Sequence, residues 1–168
     1  MNFHAFHRFL SHQPPADDTQ PVVQPEDQNS DYESGIALVS DQWWRIRTAR
    51  ITPSKPGAFV AVWKRDEHGA TRPFTAEESL AGLLVFVEDR VEGEERFGMF
   101  RFTPEQLVSL GYVSSSSKAG KRGFRVYPSW CTGLNPQALR TQRGQAAAFV
   151  EFPSTGASRP THAGAASR

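Results

Sequence analysis

The charged residues of this chain are sorted along the sequence into blocks of one sign. Residues 1–42 carry seven acids and one base, whereas residues 43–65 carry six bases and no acid. Residues 66–105 carry ten acids and four bases, and residues 106–150 again carry six bases and no acid. The net charge of +1 therefore conceals segments of about −6, +6, −6 and +6. If the two basic segments meet in the fold, they form one anion-binding face.

The composition favours one folded domain between two extended ends. A length of 168 residues suits a single domain. Residues 13–30 are rich in proline and polar groups, and residues 153–168 are small and polar, which is typical of linkers and disordered segments. We therefore predict a mostly disordered N-terminal segment over 1–30, a globular domain over 31–152 and a disordered tail over 153–168.

Several classes of protein are not expected from this sequence. Cys131 is the single cysteine, which excludes an internal disulfide and a cysteine-based zinc cluster, and we expect its thiol to be inert. No apolar run approaches the roughly 20 residues needed to cross a bilayer, and the first residues lack the features of a secretory signal. His4, His7 and His12 fall in the predicted N-terminal segment, so no metal site is expected there. The prediction is a cytoplasmic protein without a membrane partner.

Short apolar runs, separated by proline and glycine turns, predict an α/β (α+β) fold. The expected strands are 35–40, 43–51, 59–63, 83–88, 96–102 and 123–127, with the 83–88 and 96–102 strands paired. A short helix is expected over 2–12. A second helix has Thr103 as N-cap, Pro104 at its first position and Gln106 at the capping-box position, and Asn135 caps a final helix.

The second predicted strand alternates in a way that is typical of one buried and one basic face. Arg45 and Arg47 project from the same side, about 6.6 Å apart, which approaches the spacing of successive phosphates. Guanidinium groups bind phosphate bidentately, and Thr52 and Lys55 follow in the next turn. In the alternative interpretation these arginines pair with acids of residues 66–105 in a structural salt-bridge layer.

A second basic motif lies between two glycines, which permit close approach of the backbone to a phosphate. Lys121 and Arg122 lie between these glycines, and Arg125 follows on the last predicted strand. Tyr127 and Trp130 come next and have rings that can stack on bases. The alternative is a solvated basic loop that leads into a core strand, with both aromatic rings buried.

These motifs, taken together, resemble the MepB protein family. The segments that carry the resemblance are 32–34, 44–47, 52–57, 59–65, 97–102 and 120–130. The resemblance covers about residues 31–150. It implies a single domain of restriction-endonuclease-like fold, with a mixed central β-sheet flanked by helices, and it favours a nucleic-acid partner. The family takes its name from a gene beside a multidrug efflux pump.

The nuclease activity of such folds requires a particular set of acids. An acid on one strand and Glu-x-Lys or Asp-x-Lys on the next hold a divalent metal and activate water. Lys64 stands where the lysine of this motif is expected, but Val62 occupies the position of the carboxylate. Glu33 and Glu88 are the acids left to build an unusual site, so Glu33 and Lys64 are weak catalytic candidates. Mg²⁺ is expected only in this case.

Three hypotheses follow from the sequence. The first is binding of nucleic acid, DNA or RNA, or of a phosphorylated ligand, through a basic cleft, without a cofactor and without any indicated protein partner. The second is a metal-dependent nuclease. The third is a small-molecule or partner-binding protein linked to drug efflux, in which Trp43, Trp63 and Trp130 line an apolar pocket. The residues predicted to bind phosphate are Arg45, Arg47, Thr52, Lys55, Lys121, Arg122 and Arg125, with Tyr127 and Trp130 stacking on bases.

Overall fold

The computed structural model of the chain describes residues 1–15 and 20–154. Within these residues the helices are α1 (His4–Ser11), α2 (Pro104–Ser109) and α3 (Pro136–Gln145). The strands are β1 (Val23–Pro25), β2 (Gly35–Val39), β3 (Gln42–Thr48), β4 (Arg50–Ile51), β5 (Ala58–Ala61), β6 (Trp63–Arg65), β7 (Thr71–Pro73), β8 (Leu83–Val91), β9 (Glu94–Phe102), β10 (Gly123–Val126) and β11 (Phe149–Phe152). Short 3-10 helices span Ser30–Tyr32, Ala76–Glu78 and Ala146–Ala148. Apart from residues 153 and 154, the predicted disordered tail lies outside the described residues.

The central sheet is mixed, as expected for an α+β protein. Its strand order is β1-β2-β3-β8-β9-β11. Strands β3 and β8 run parallel, and the other neighbours are antiparallel. A parallel pair needs a long crossover connection, and here that connection consists of β4 to β7 and the 3-10 helix Ala76–Glu78.

Strand β8 contributes side chains to both hydrophobic clusters of the protein. Successive residues of a strand point to opposite faces of the sheet. Leu83, Val85 and Val87 therefore enter one cluster, whereas Leu84 and Phe86 enter the other. The pairing of β8 with β9, predicted from their apolar runs, is confirmed.

Helix α1 covers one face of this sheet. Phe3, Phe6 and Phe9 are buried against it, because their helical spacing puts three rings on one side. Strand β1 also belongs to the sheet and pairs with β2. The helix predicted over 2–12 is therefore confirmed as α1, whereas the prediction of a mostly disordered segment over 1–30 is wrong for β1. The short, proline-containing β1 is held by its partner strand, which its own composition does not reveal.

The opposite face is covered by a second, three-stranded sheet with the order β10-β5-β4 and by helix α2, while α3 packs against β10. Both predicted caps are confirmed. Thr103 and Gln106 form the capping box of α2, and the Asn135 side chain accepts a hydrogen bond from the Ala138 amide at the start of α3. These caps fix the place where α3 begins, beside β10.

Some strand boundaries differ from the prediction. The expected strand 43–51 is divided at Ala49 into β3 and β4, which belong to different sheets. Strand 123–127 is not the last one, because β11 pairs with β9 at the edge of the central sheet. None of the three helices in the described residues has the length and apolar character required to span a membrane.

Candidate anion-binding groove

The two arginines of β3 lie in a buried ion-pair layer. The Arg47 side chain is fully buried, and the Arg45 side chain is 11% exposed. Glu26 bridges them, since its Oε1 accepts from Arg45 Nε at 3.0 Å and its Oε2 accepts from Arg47 Nη1 at 2.5 Å. The prediction that Arg45 and Arg47 bind phosphate is therefore wrong.

Arg45 and Arg47 are buried because of the way β3 packs. Its alternation was predicted correctly, but the side opposite Trp44 lies under the crossover segment instead of facing water. Arg47 Nε donates to the Ala61 carbonyl at 3.1 Å, and Arg45 Nη1 donates to the Glu78 carbonyl at 2.8 Å. Burial lowers the pKa of Arg47 to about 10, although Glu26 offsets part of this effect, so Arg47 stays protonated at neutral pH. The alternative of a structural salt-bridge layer applies, with Glu26 as the acid in place of one from residues 66–105.

Three other cations that were predicted to bind phosphate lie close together in the fold. Lys55, Lys121 and Arg125 line one open groove with a volume of about 420 Å³. Lys55 comes from the turn before β5, Lys121 from the loop before β10, and Arg125 from β10 itself. The two basic segments of the sequence therefore meet here through three residues. The rest of the lining consists of Pro56, Tyr112, Phe124, Tyr127, Asn135, Gln137, Ala138 and Thr141.

Arg125 braces the turn that carries Lys55. Its guanidinium donates to the hydroxyl of Thr52, to the Pro56 carbonyl at 3.2 Å and to the Lys55 carbonyl at 3.3 Å. Gly57 closes the turn with φ of +76°, and a Cβ there would lie 2.6 Å from the Val126 carbonyl oxygen. This conformation and close approach require glycine. Arg125 is thus both a charge in the groove and a support for Lys55.

A buried glutamine fixes the aromatic part of the groove. The Gln145 side chain donates to the Tyr112 hydroxyl at 2.7 Å and to the Arg125 carbonyl at 2.9 Å, and it accepts from the Tyr127 amide at 3.0 Å. Tyr112 stacks on Phe124 with ring centroids 3.7 Å apart, and burial raises the pKa of its hydroxyl. Neither Gln145 nor the α3 residues of the groove were predicted. The N-cap of α3 and the strand over 123–127 were both predicted from the sequence, but the packing of one against the other was not.

Within the described residues, no acidic side chain neutralises the positive charge of the groove. None of the described residues that line it carries a carboxylate. None of the ion pairs formed within residues 1–15 and 20–154 involves Lys55, Lys121 or Arg125. The side chains of Lys55 and Lys121 are exposed, so both ammonium groups can reach a bound anion.

Three further predicted residues lie elsewhere or have another role. Arg122 Nε donates to the Thr71 carbonyl of β7 at 3.0 Å, and Arg122 is not part of the groove lining. Thr52 serves as an acceptor for Arg125. Trp130 is 9% exposed, and its indole N–H donates to Asp89 at 2.9 Å, so the prediction that it stacks on bases is wrong. Tyr127 remains the half-buried ring that faces the groove.

The weak catalytic candidates have separate structural partners. Glu33 accepts a hydrogen bond from the His4 amide and so caps the N-terminus of α1. Lys64 lies 3.1 Å from Glu78, which also receives two hydrogen bonds from Arg72. In the described part of the chain no group of three or more His, Cys, Asp or Glu residues is arranged to hold a metal ion. The side chains expected to form a nuclease site are thus engaged in helix capping and in an ion-pair cluster.

Glu78 is the centre of that cluster. Its hydrogen bonds from Arg72, from the Thr75 amide and from Lys64 hold the pKa of its carboxyl well below the usual value, against the smaller opposing effect of burial. The remaining nucleophile, Cys131, is partly buried, and this burial raises the pKa of its thiol. A raised pKa leaves less of the reactive thiolate at neutral pH, as expected for an inert cysteine.

The tryptophans of the third hypothesis contact different partners. Trp43 is 39% exposed at the start of β3, and Trp63 lies under the Arg65 guanidinium. Trp130 packs against Phe149 and Arg96. These contacts do not support an apolar pocket shared by the three rings.

The described part of the chain thus defines an α+β protein with a mixed central sheet and a groove lined by cations between β10 and α3. The chain belongs to the MepB-like family, whose family model matches residues 26–151. A solved crystal structure of MepB is similar, with 30% sequence identity and a TM-score of 0.75, over 90% of this chain and 97% of that chain. No curated protein matches the chain. The match to the family begins at Glu26, the residue that bridges Arg45 and Arg47.

Proposed function

We propose that this protein binds nucleic acid through the groove of Lys55, Lys121 and Arg125. The observation that carries the proposal is that these three cations line one groove with an aromatic wall, where no other described lining residue is an acid. Ammonium and guanidinium groups bind phosphate oxygens, and their charge attracts a polyanion over a distance set by the ionic strength.

The other lining residues suit a nucleotide better than inorganic phosphate. Tyr127 offers an aromatic ring on which a base can stack. Asn135, Gln137 and Thr141 carry polar groups at the α3 side of the groove, where they can hydrogen bond to a base or a sugar. A small phosphorylated ligand shares this chemistry, and the experiment below includes it as a separate probe.

The fold is compatible with this function. A mixed sheet flanked by helices is what the restriction-endonuclease-like assignment requires, and that assignment stays a prediction. The nuclease alternative has no comparable support, because Glu33 caps α1 and Lys64 pairs with Glu78. Binding without cleavage is therefore the activity we propose.

The test is the affinity of a double variant, Lys55→Ala with Lys121→Ala, for a fluorescent single-stranded DNA, a single-stranded RNA, a DNA duplex and a mononucleotide. We expect roughly tenfold weaker binding of the preferred polynucleotide at low salt. The negative slope of log affinity against log salt concentration should become shallower by about 0.7 for each phosphate of a single strand that the variant no longer neutralises. Both lysines are exposed, so the variant should keep its fold.

A matched control removes two exposed cations outside the groove, in the variant Arg65→Ala with Arg90→Ala. This control should bind like the unmodified protein. Equal weakening in both double variants would mean that net charge alone attracts the polymer, and it would contradict the proposal. Binding of a mononucleotide without binding of any polynucleotide would favour the small phosphorylated ligand instead.

A further inference from the structure

A second pocket lies next to the groove and shares one residue with it. Its volume is about 230 Å³, and Tyr127 lines both pockets. The other residues of the second pocket are Ser129, Gln142, Arg143, Ala146 and Phe149. The two pockets take their α3 residues from different flanks of the helix. Gln137 and Thr141 face the groove, whereas Gln142, Arg143 and the Ala146 that follows the helix face the second pocket.

The second pocket is chemically suited to a base and its phosphate. Phe149 is half-buried and offers an aromatic surface, while Arg143 is exposed. Arg143 takes part in none of the ion pairs in the described residues. Gln142 Nε2 donates to the Pro128 and Cys131 carbonyls at 2.9 and 3.1 Å, which fixes the loop that carries Ser129. This pocket therefore repeats the combination of a cation and an aromatic ring found in the groove.

The shared Tyr127 sets the kind of polymer that can fill both pockets. In a duplex the faces of the bases are covered by their neighbours, so a protein ring cannot stack on them. Unpaired bases can turn outward and stack on aromatic side chains. Ligand pockets commonly enclose about 300–1,000 Å³, so the groove has room for one nucleotide and the smaller pocket for part of the next.

We infer that the ligand is a single-stranded nucleic acid that spans at least two nucleotides. One nucleotide occupies the groove beside Lys55 and Lys121, and its neighbour passes Tyr127 into the pocket of Arg143 and Phe149. This inference rests on the proposed function, because it assigns a strand type and a second subsite to the same surface.

The experiment measures affinity for thymidine 5′-monophosphate and for single-stranded thymidine oligonucleotides of two, four and eight residues. We expect the unmodified protein to bind the two-residue oligonucleotide at least about tenfold more tightly than the monophosphate, because a second base and phosphate are engaged. The variant Arg143→Ala should lose most of this gain and keep its affinity for the monophosphate. Arg140→Ala, an exposed change in the same helix but outside both pockets, is the control and should keep the gain.

Two changes at the shared ring test the stacking role. Tyr127→Phe should bind the four-residue oligonucleotide like the unmodified protein, whereas Tyr127→Ala should bind it roughly tenfold more weakly. Thermal melting of both variants shows whether either change alters the fold instead.

The outcomes separate this inference from the proposed function. If Lys55→Ala with Lys121→Ala weakens binding and Arg143→Ala does not, the second subsite is wrong and the groove remains. A duplex that binds as tightly as a single strand of equal length would also overturn the inference. If neither set of changes affects affinity, the proposed function itself is wrong.

Discussion

Glu26 serves two buried arginines with a single carboxylate, so the stability of the fold depends on this side chain. Its side chain is 10% exposed, and each of its oxygens accepts from a different guanidinium. Taking charges out of water is costly, and the cost is offset only when the partners are present. Removal of the acid would leave two cations buried between β3 and the crossover segment.

We therefore predict that Glu26→Gln lowers the free energy of unfolding by about 3 kcal/mol, as is usual for the loss of one partner of a buried pair. Urea denaturation followed by tryptophan fluorescence measures this change. Asp27→Asn, at the exposed neighbouring acid, should change stability by less than about 0.5 kcal/mol. Similar values for the two variants would show that Arg45 and Arg47 do not depend on Glu26.

Arg45 and Arg47 were wrongly predicted to bind phosphate because the sequence pattern of β3 does not show its surroundings. Alternation along β3 separates its two faces, but it does not say which face meets water. Arg45 and Arg47 would give the same pattern on an exposed face, and the acid that pairs with them lies in a segment whose composition indicates a linker. Lys55 and Lys121 do line one groove, since both follow turn residues, which are usually exposed, and their binding of phosphate stays a prediction.

At the scale of elements, the crossover segment is tied together by Glu78. This residue ends the 3-10 helix Ala76–Glu78 and receives hydrogen bonds from Lys64 of β6, from Arg72 of β7 and from the Thr75 amide. Three short elements that bury few apolar groups of their own are thereby held beside β3. The hydrogen bonds favour the charged form of the carboxyl and so lower its pKa below the ordinary value of 4.5.

A lowered pKa in the folded state gives a definite pH dependence. Above pH 4.5 the Glu78 carboxylate is charged in both states and stabilises the folded one. As the pH falls below this value, the unfolded state takes up a proton first, and the stabilisation is lost. We expect Glu78→Gln to be less stable by about 1 kcal/mol at pH 7, with the difference shrinking steadily toward pH 3.

Denaturation curves at several pH values test this prediction, with Glu77→Gln as the control from the same 3-10 helix. Glu77 is exposed and forms no ion pair among the described residues. Its replacement should change stability little at any pH. A deficit for Glu78→Gln that stays constant from pH 7 to pH 3 would contradict the electrostatic account.

Helices and strands that are marked by cap residues or apolar runs could be predicted from the sequence. Strands that form only because they pair with a neighbour distant in sequence could not. The caps of α2 and α3 and the apolar runs of β8 and β9 are encoded in short stretches of sequence. Strand β1, by contrast, is only three residues long, and β11 follows directly on the 3-10 helix after α3. Each is an edge strand that exists because a longer neighbour offers its backbone groups.

At the scale of the whole molecule, the groove exists because the second sheet brings two basic segments to the start of α3. Pairing of β10 with β5 places the Arg125 segment beside the turn of Lys55, and Gln145 ties α3 to the end of β10. The sorting of charges indicated that such a meeting was possible. The sorting of charges could not indicate that the arginines of β3 lie outside the groove, because their position depends on the segment that covers β3.

Binding of a single strand in the groove can be mapped by a nuclear magnetic resonance titration of the labelled protein with an eight-residue single-stranded thymidine oligonucleotide. We expect the largest amide shifts at residues 55–57, 121–127 and 135–143, with little change in α1 or in the β6–β7 hairpin. Shifts centred on α1 or on that hairpin, or no shifts at millimolar oligonucleotide, would contradict it.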